Sequence, residues 1–164
     1  MTEVYLALGA NVGDSRTNIA QAITLLNAIL RDIKRAPIYV SKAVGYTNQV
    51  DFLNTAVSGE TELNPQELLA KLKAIEQELG RVERFRWGPR EIDIDIILYG
   101  NVVLESEQFT LPHPHFRERD FVLRPLADLN PQLVDPVSGQ TVTQLLSKIS
   151  QSEASIQQEV DQTD

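Results

Sequence analysis

Residues 92–97 read Ile-Asp-Ile-Asp-Ile-Ile, and this alternation limits the fold more than any other feature of the chain. Side chains along a strand point to opposite faces in turn, so Asp93 and Asp95 fall on one face and Ile92, Ile94 and Ile96 on the other. The segment Ile92 to Tyr99 is therefore expected to be a strand whose apolar face meets a core. Its two carboxylates stand one two-residue step apart, about 7 Å, which lets them share a site. Embedded among isoleucines, they repel each other and lose hydration unless something positive lies between them. A pair of hard oxygen ligands suits Mg²⁺, which is commonly held by one or two carboxylates together with substrate phosphates and water. The same pattern also fits a strand whose polar face looks at solvent.

The surrounding segments supply partners for such a strand. Thr2 to Leu8 alternates and stops at Gly9, a strand signature. Asp14 or Ser15 can cap a helix whose apolar residues Ile19, Ile23, Leu26, Ile29, Leu30 and Ile33 follow helical spacing. Ile38 to Val44 and Phe52 to Gly59 read as strands joined by a polar loop. Asn64-Pro65-Gln66-Glu67 opens a second helix with a cap, a proline in its first turn and a reciprocal Glu. Leu68, Leu72, Ile75 and Leu79 form its buried stripe, and Gly80 ends it. Gly100-Asn101 suits a hairpin into Val102 to Leu104. The order β-α-β-β-α-β predicts an α+β, ferredoxin-like sandwich with one antiparallel sheet, both helices on one face and an added hairpin strand. Two later helices, about Arg117 to Leu129 and Thr141 to Ile149, are expected to pack around it. The fold alone names no chemistry.

Chemistry is suggested by what precedes the acids. Arg81, Arg84, Arg86 and Arg90 fall within ten residues in a chain with 15 Lys and Arg against 23 Asp and Glu. Gly80, Gly88 and Pro89 make this stretch a loop, and guanidinium groups grip phosphates bidentately. Arginines beside a carboxylate pair form a layout for metal-phosphate chemistry. The Gly-Lys-Ser/Thr phosphate loop of many ATP-binding proteins is absent from the sequence. Gly9-Ala10-Asn11-Val12-Gly13 is either a weak phosphate loop or, more simply, a tight strand-to-helix connection. Both histidines sit in Leu111-Pro112-His113-Pro114-His115, a rigid anion-binding corner or a plain surface loop. With no cysteine and a proline between them, zinc is not expected. Phe52 and Asn54 share a strand face, and Phe121 lies in the helix expected over about Arg117 to Leu129. Such residues build cores, but they are also what stacking and reading a flat heterocycle requires.

Composition narrows the class. A chain of 164 residues can bury a core without disulfide staples. No apolar run or leader pattern suggests a membrane span or export, so the cytoplasm is the expected compartment. The formal charge of −8 argues against broad nucleic-acid binding yet leaves room for a small anion in a basic pocket. Residues 151–164 hold four acids and no base, and this tail is expected to be disordered beyond a single catalytic domain at 1–150.

Taken together, Arg86-Trp87-Gly88-Pro89-Arg90 followed by Asp93-Ile94-Asp95-Ile96-Ile97 resembles the signature of the 6-hydroxymethyl-7,8-dihydropterin pyrophosphokinase family. Gly9-Ala10-Asn11, Asp51-Phe52-Leu53-Asn54, Gly80-Arg81, Pro112-His113-Pro114 and Arg119 with Phe121-Val122-Leu123 extend the resemblance over residues 2 to about 149. It implies ATP and a reduced pterin alcohol as substrates, two Mg²⁺ ions, and AMP with the pterin diphosphate as products. By the same resemblance, Asp93 and Asp95 bridge the metals, and Phe52 and Phe121 sandwich the pterin, with Asn54 and the backbone near Val44 reading its edge. Trp87 and Arg90 close the site. Arg81, Arg86, His113 and Arg119 hold the triphosphate, and Leu69, Glu76 and Thr110 lie near the nucleotide. The loops Ser41 to Asp51 and Arg81 to Arg90 match mobile loops of the family. The first departs from it in lacking prolines before Gly45 and before Asp51, which bears on loop stiffness. A monomer acting on small molecules is expected. The rival readings are a ligand-sensing module without catalysis and a nucleic-acid enzyme using the same acid pair.

Overall fold

The computed structural model describes residues 1–43, 48–82, 84–85, 88–150 and 154–160. The central strand is β1 (Thr2–Ala10), most of whose residues are buried because it has a strand on each side and helices over both faces. It pairs antiparallel with β4 (Phe52–Thr61) and with β5 (Asp93–Tyr99). In this register Gly9 stands opposite both Asn54 and Asp93, and Ala7 opposite Asp95. Two strands with unlike chemistry are thus brought to either side of a strand whose residues here are small.

On its other edge β4 pairs with β2 (Arg31–Arg35) and β3 (Ile38–Ser41), giving the order β5-β1-β4-β3 with β2 beside β4. Strands β2 and β3 are one run interrupted at Ala36-Pro37, where proline has no N–H to donate. Thr55 repairs the interruption by donating its hydroxyl to both Ala36 O and Pro37 O at 3.0 Å.

Strand β2 falls where helical spacing runs on through Ile33. Helix α1 (Ser15–Leu26), capped by Asp14, ends at Leu26, and the chain tightens through Ala28 N to Leu25 O and Ile29 N to Leu26 O before turning into the sheet. Leu30 packs against Gly59, where an added Cβ would lie 3.1 Å from Leu30 Cβ. Periodicity alone did not reveal that bare stretch of β4, which lets the chain approach and trade helical for sheet hydrogen bonds.

Helix α2 (Pro65–Glu78) starts as expected: Asn64 Oδ1 accepts from Glu67 N at 2.8 Å and Glu67 Oε1 from Asn64 N at 3.0 Å. Leu68, Leu72 and Ile75 join Ile19, Ile23 and Leu26 of α1 over Leu6, Leu8, Ile94 and Ile96, so α1 and α2 cover one face. The opposite face carries α3 (Asp120–Leu129), preceded by a short 3₁₀ turn at Phe116–Glu118, and α4 (Val142–Ser147). Phe116, Leu123, Leu126 and Val142 pack there on Tyr5, Ala56 and Ile97.

Two expectations change. Gly100 does turn the chain, but Val102 to Leu104 does not return along β5; β6 (Leu104–Glu105) pairs with β7 (Thr110–Leu111) as a separate ribbon. The backbone of β5 is engaged there by the segment after β7, His113 N donating to Ile97 O at 2.9 Å. The acidic tail is not frayed throughout: β8 (Ile156–Val160) pairs antiparallel with β3, because β3 would otherwise present an open edge. No helix among the described residues is long and apolar enough to cross a membrane.

Candidate active site

The alternation of β5 does what its sequence implies. Ile94 and Ile96 enter the core under α1 and α2, while Asp93 and Asp95 open into a cleft of about 290 Å³ on the other face. Arg90, Phe52, Asn54, His113, Arg119 and Phe121 line the same cleft. These residues come from four separate stretches: β5 with the loop before it, β4, the corner after β7, and the start of α3.

The arginines meet the acids directly. Arg81 Nη1 lies 2.9 Å from Asp93 Oδ1 and 2.9 Å from Glu76 Oε1, and Arg90 Nη1 lies 3.0 Å from Asp93 Oδ2. Glu76 also accepts from Ile94 N at 2.7 Å, which anchors α2 to β5. Burial alone pushes the Asp93 carboxyl up, but Arg90 and Arg81 together outweigh it and hold Asp93 below the ordinary range. Asp95 goes the other way. Burial raises it well above the ordinary value, and the negative charges of Asp93 and Glu76 add to the effect. Glu76 is itself raised, chiefly by burial. Asp93 and Asp95 thus share a place that favours added positive charge, and the charge of Glu76 adds to it.

Cationic groups face them across the cleft. Arg119 lies with its guanidinium carbon 5.7 Å from the Phe121 ring centroid, and Arg90 with its own 5.9 Å from Phe52. His113 is lowered to about 4, first by burial and then by Arg119 and His115, so it is neutral at pH 7. A neutral imidazole can donate to a phosphate oxygen without adding a charge.

Some expected residues lie elsewhere. Leu69 packs against the core under α2, and Thr110 sits in β7; neither lines the cleft. Val44, Arg86 and Trp87 are outside the described residues. Arg84, given no role, pairs bidentately with Glu91 at 2.9 Å and holds that carboxyl down at about 2. The Gly9 to Gly13 segment is a connection whose amide at Asn11 is spent on Arg90 O at 3.0 Å. Asn11 earns a different role: its Nδ2 donates to Gln49 Oε1 and Val50 O, and its Oδ1 accepts from Arg90 N. One amide therefore ties together the ends of both loops beside the cleft. Ser41, Lys42, His115 and Gly9 also line the cleft without having been singled out as site residues. Gly9 and His115 carried signals, a glycine at a strand end marking close approach and a histidine in a proline-flanked corner, whereas Ser41 and Lys42 carried none.

The description "7,8-dihydro-6-hydroxymethylpterin-pyrophosphokinase" belongs to the family model that matches residues 5–131. The chain belongs to this family. Among pyrophosphokinase relatives, one from Aquifex aeolicus is 47% identical over 137 residues, covering 84% of this chain and 86% of the relative. One from Bacillus subtilis is 47% identical over 131 residues, covering 79% and 78%. The folic acid synthesis protein fol1 of Schizosaccharomyces pombe is 42% identical over 147 residues, where the match covers 88% of this chain but 20% of that longer protein. In fold, the chain is similar to a Plasmodium falciparum HPPK-DHPS crystal structure, with a TM-score of 0.70 at 16% identity, covering 90% of this chain and 43% of that one.

Proposed function

We propose that this chain transfers the pyrophosphoryl group of ATP to 6-hydroxymethyl-7,8-dihydropterin, releasing AMP and the pterin diphosphate, as a step of folate biosynthesis. The observation that carries the reading is the meeting of the Asp93–Asp95 pair, the cations Arg90 and Arg119, and the Phe52, Asn54 and Phe121 group in one cleft, with Arg81 paired to Asp93 beside it. Family membership supports it.

The residues fit Mg²⁺. Asp95 is a half-buried carboxylate on the cleft wall, crowded by two other negative groups, and a divalent cation relieves that crowding. Mg²⁺ is commonly held by one or two carboxylates and takes its remaining ligands from phosphates and water, which suits this pair. Asp93 and Asp95 would hold two such ions, and the chemistry they supply when bound is neutralisation of charge on the reacting phosphate oxygens.

The chain's own residues do the rest. Arg81, Arg86, His113 and Arg119 hold the triphosphate, with Glu76 orienting Arg81. Leu69 and Thr110 border the nucleotide by family resemblance alone. Phe52 and Phe121 stack on the pterin, and Asn54 with the backbone near Val44 reads its edge. Trp87 and Arg90 close over it and exclude water. So held, the pterin hydroxyl gives up its proton to water as its oxygen bonds to the β-phosphorus and the bond from that phosphorus to the α–β bridging oxygen breaks, and AMP departs with the bridging oxygen. Fixed donors aimed at developing charge make the largest contribution in such sites. We read the fold as ferredoxin-like, residues 1–150 as the unit that supplies the residues touching substrate, and the enzyme as a cytoplasmic monomer without a nucleic-acid partner.

Incubation with ATP, Mg²⁺ and the hydroxymethyl dihydropterin tests this. AMP is the expected product; ADP would mean ordinary phosphoryl transfer and overturn the proposal.

A further inference from the structure

The tail contains an arrangement that its composition does not suggest. Ser155, buried despite lying in an acidic and polar stretch, is held on both sides. Its backbone N–H donates to Asp120 Oδ2 at 2.8 Å, its hydroxyl donates to Asp120 Oδ1, and its carbonyl accepts from Lys42 N at 2.9 Å. Ile156 N adds a second bond to Asp120 Oδ2 at 3.0 Å. Beyond this point β8 follows β3, with Val40 opposite Gln158 and Tyr39 opposite Glu159.

What Ser155 joins is more informative than how tightly it is joined. Lys42 follows directly on β3, and Ser41 and Lys42 line the cleft on the side of Phe52 and Asn54. Asp120 begins α3 between Arg119 and Phe121, which line the same cleft from this separate element. One residue of the tail therefore spans from the wall that carries Phe52 to the wall that carries Phe121. A carboxylate that accepts three hydrogen bonds has little freedom to move, and it is also favoured at the start of a helix. A stacking site works only when its two faces keep a fixed separation, because contact energy falls steeply with a gap of even half an ångström to one ångström.

We propose that the C-terminal segment is a working part of the substrate site, with Ser155 and Asp120 as positioning residues that set the spacing of the two aromatic walls. The inference rests on the pterin reading of Phe52 and Phe121 given above. The tail acts through the walls and touches no reacting atom.

The test uses the full chain and three variants. Asp120→Asn keeps the shape but replaces one accepting oxygen with a donor, and Gln158→Pro disrupts β8 without altering α3. Ser155→Thr retains both the hydroxyl and the N–H. Amide hydrogen exchange is expected to speed up over 154–160 and at the first turn of α3 in D120N and Q158P, and to stay near wild type in S155T. The pterin KM is expected to rise fivefold or more in D120N and Q158P. The ATP KM should rise less, about twofold, since Arg81 and His113 hold the triphosphate from elements the clasp does not touch and only Arg119 lies beside it. Faster exchange with an unchanged pterin KM would overturn the positioning role, and unchanged exchange in both disruptive variants would overturn the clasp. Q158P decides the matter if D120N does not fold. A wild-type chain that forms no AMP would instead overturn the pyrophosphokinase reading, and the exchange data would still judge the clasp.

Discussion

Gly9 lies directly against Asn54: a Cβ placed on Gly9 would come within 2.8 Å of Asn54 Oδ1. The two are register partners across β1 and β4, and Asn54 donates its amide to Ser41 Oγ, so the amide is fixed from one side and left room on the other. Gly9→Ala is expected to turn the Asn54 amide while leaving the sheet intact. Loss of one well-placed hydrogen bond, about 1–1.5 kcal/mol, corresponds to roughly a tenfold weaker pterin affinity. Titration calorimetry with the pterin and an ATP analogue checks this; an equal loss for both ligands would indicate a general distortion.

Asp95 is more costly to the empty protein than to the working one. Asp95→Asn removes a carboxylate that burial and Asp93 already disfavour, so the variant is expected to be as stable as wild type or more so, by up to about 1 kcal/mol. Turnover should fall by roughly a thousandfold or more if Asp95 holds metal, the scale expected when charge stabilisation at the reacting phosphate is lost. Thermal unfolding with and without Mg²⁺ completes the test: the ion should raise the wild-type midpoint and leave that of D95N in place. Near wild-type turnover in saturating Mg²⁺ would remove Asp95 from the metal site.

Phe121 is partly exposed in the cleft and packs only at the margin of the α3 core, whereas Phe116 is fully buried. Phe121→Ala should therefore weaken pterin binding much more than ATP binding, by roughly tenfold to a hundredfold for the loss of a stacking face. Phe116→Ala should instead cost stability, about 3–5 kcal/mol as for other large buried aromatics. Comparing chemical denaturation with ligand titration separates the two outcomes.

An acid-sensitive strut lies away from the cleft. Asp135 is fully buried and accepts from Arg117 Nη2 at 3.0 Å, Ser138 Oγ at 2.7 Å and Val137 N at 3.0 Å. Burial would raise its carboxyl, but these partners, Arg117 first among them, bring it down to about 2. A carboxyl lowered on folding stabilises the protein above its unfolded value, near 3.9, and that contribution is lost as the pH falls toward 2. At neutral pH it is worth roughly 2 kcal/mol. Arg117→Ala should lower stability at pH 7 and flatten the stability curve between about pH 4 and pH 2. Denaturant titrations across that range measure both effects.

Several elements were legible because their signals are local. The capping box at Asn64 and Glu67 and the stripe of α2 need only neighbours in the chain, as does the period of two in β5. The meeting of Arg81 and Arg90 with Asp93 was suggested by their closeness in sequence. The end of α1 was hidden, because Leu30 turns into β2 in response to Gly59, a residue far along the chain. The strand in the tail was hidden for the same reason: a polar segment becomes β8 only where β3 offers an unpaired edge.

By itself, the sequence determined which residue types could hold metal, grip phosphate and stack on a heterocycle, and that the acids of β5 share one face. It also carried enough of the family's motif to point to a pyrophosphokinase. Only the tertiary structure decided that Asp93 is shared by two arginines while Asp95 is left among negative charges, that Asn11 joins two loops, and that Ser155 ties the tail to both walls of the cleft. Those facts depend on distances between segments remote in sequence. Such distances are set by packing and by the need of each buried polar group to find a partner, and one-dimensional periodicity does not encode them.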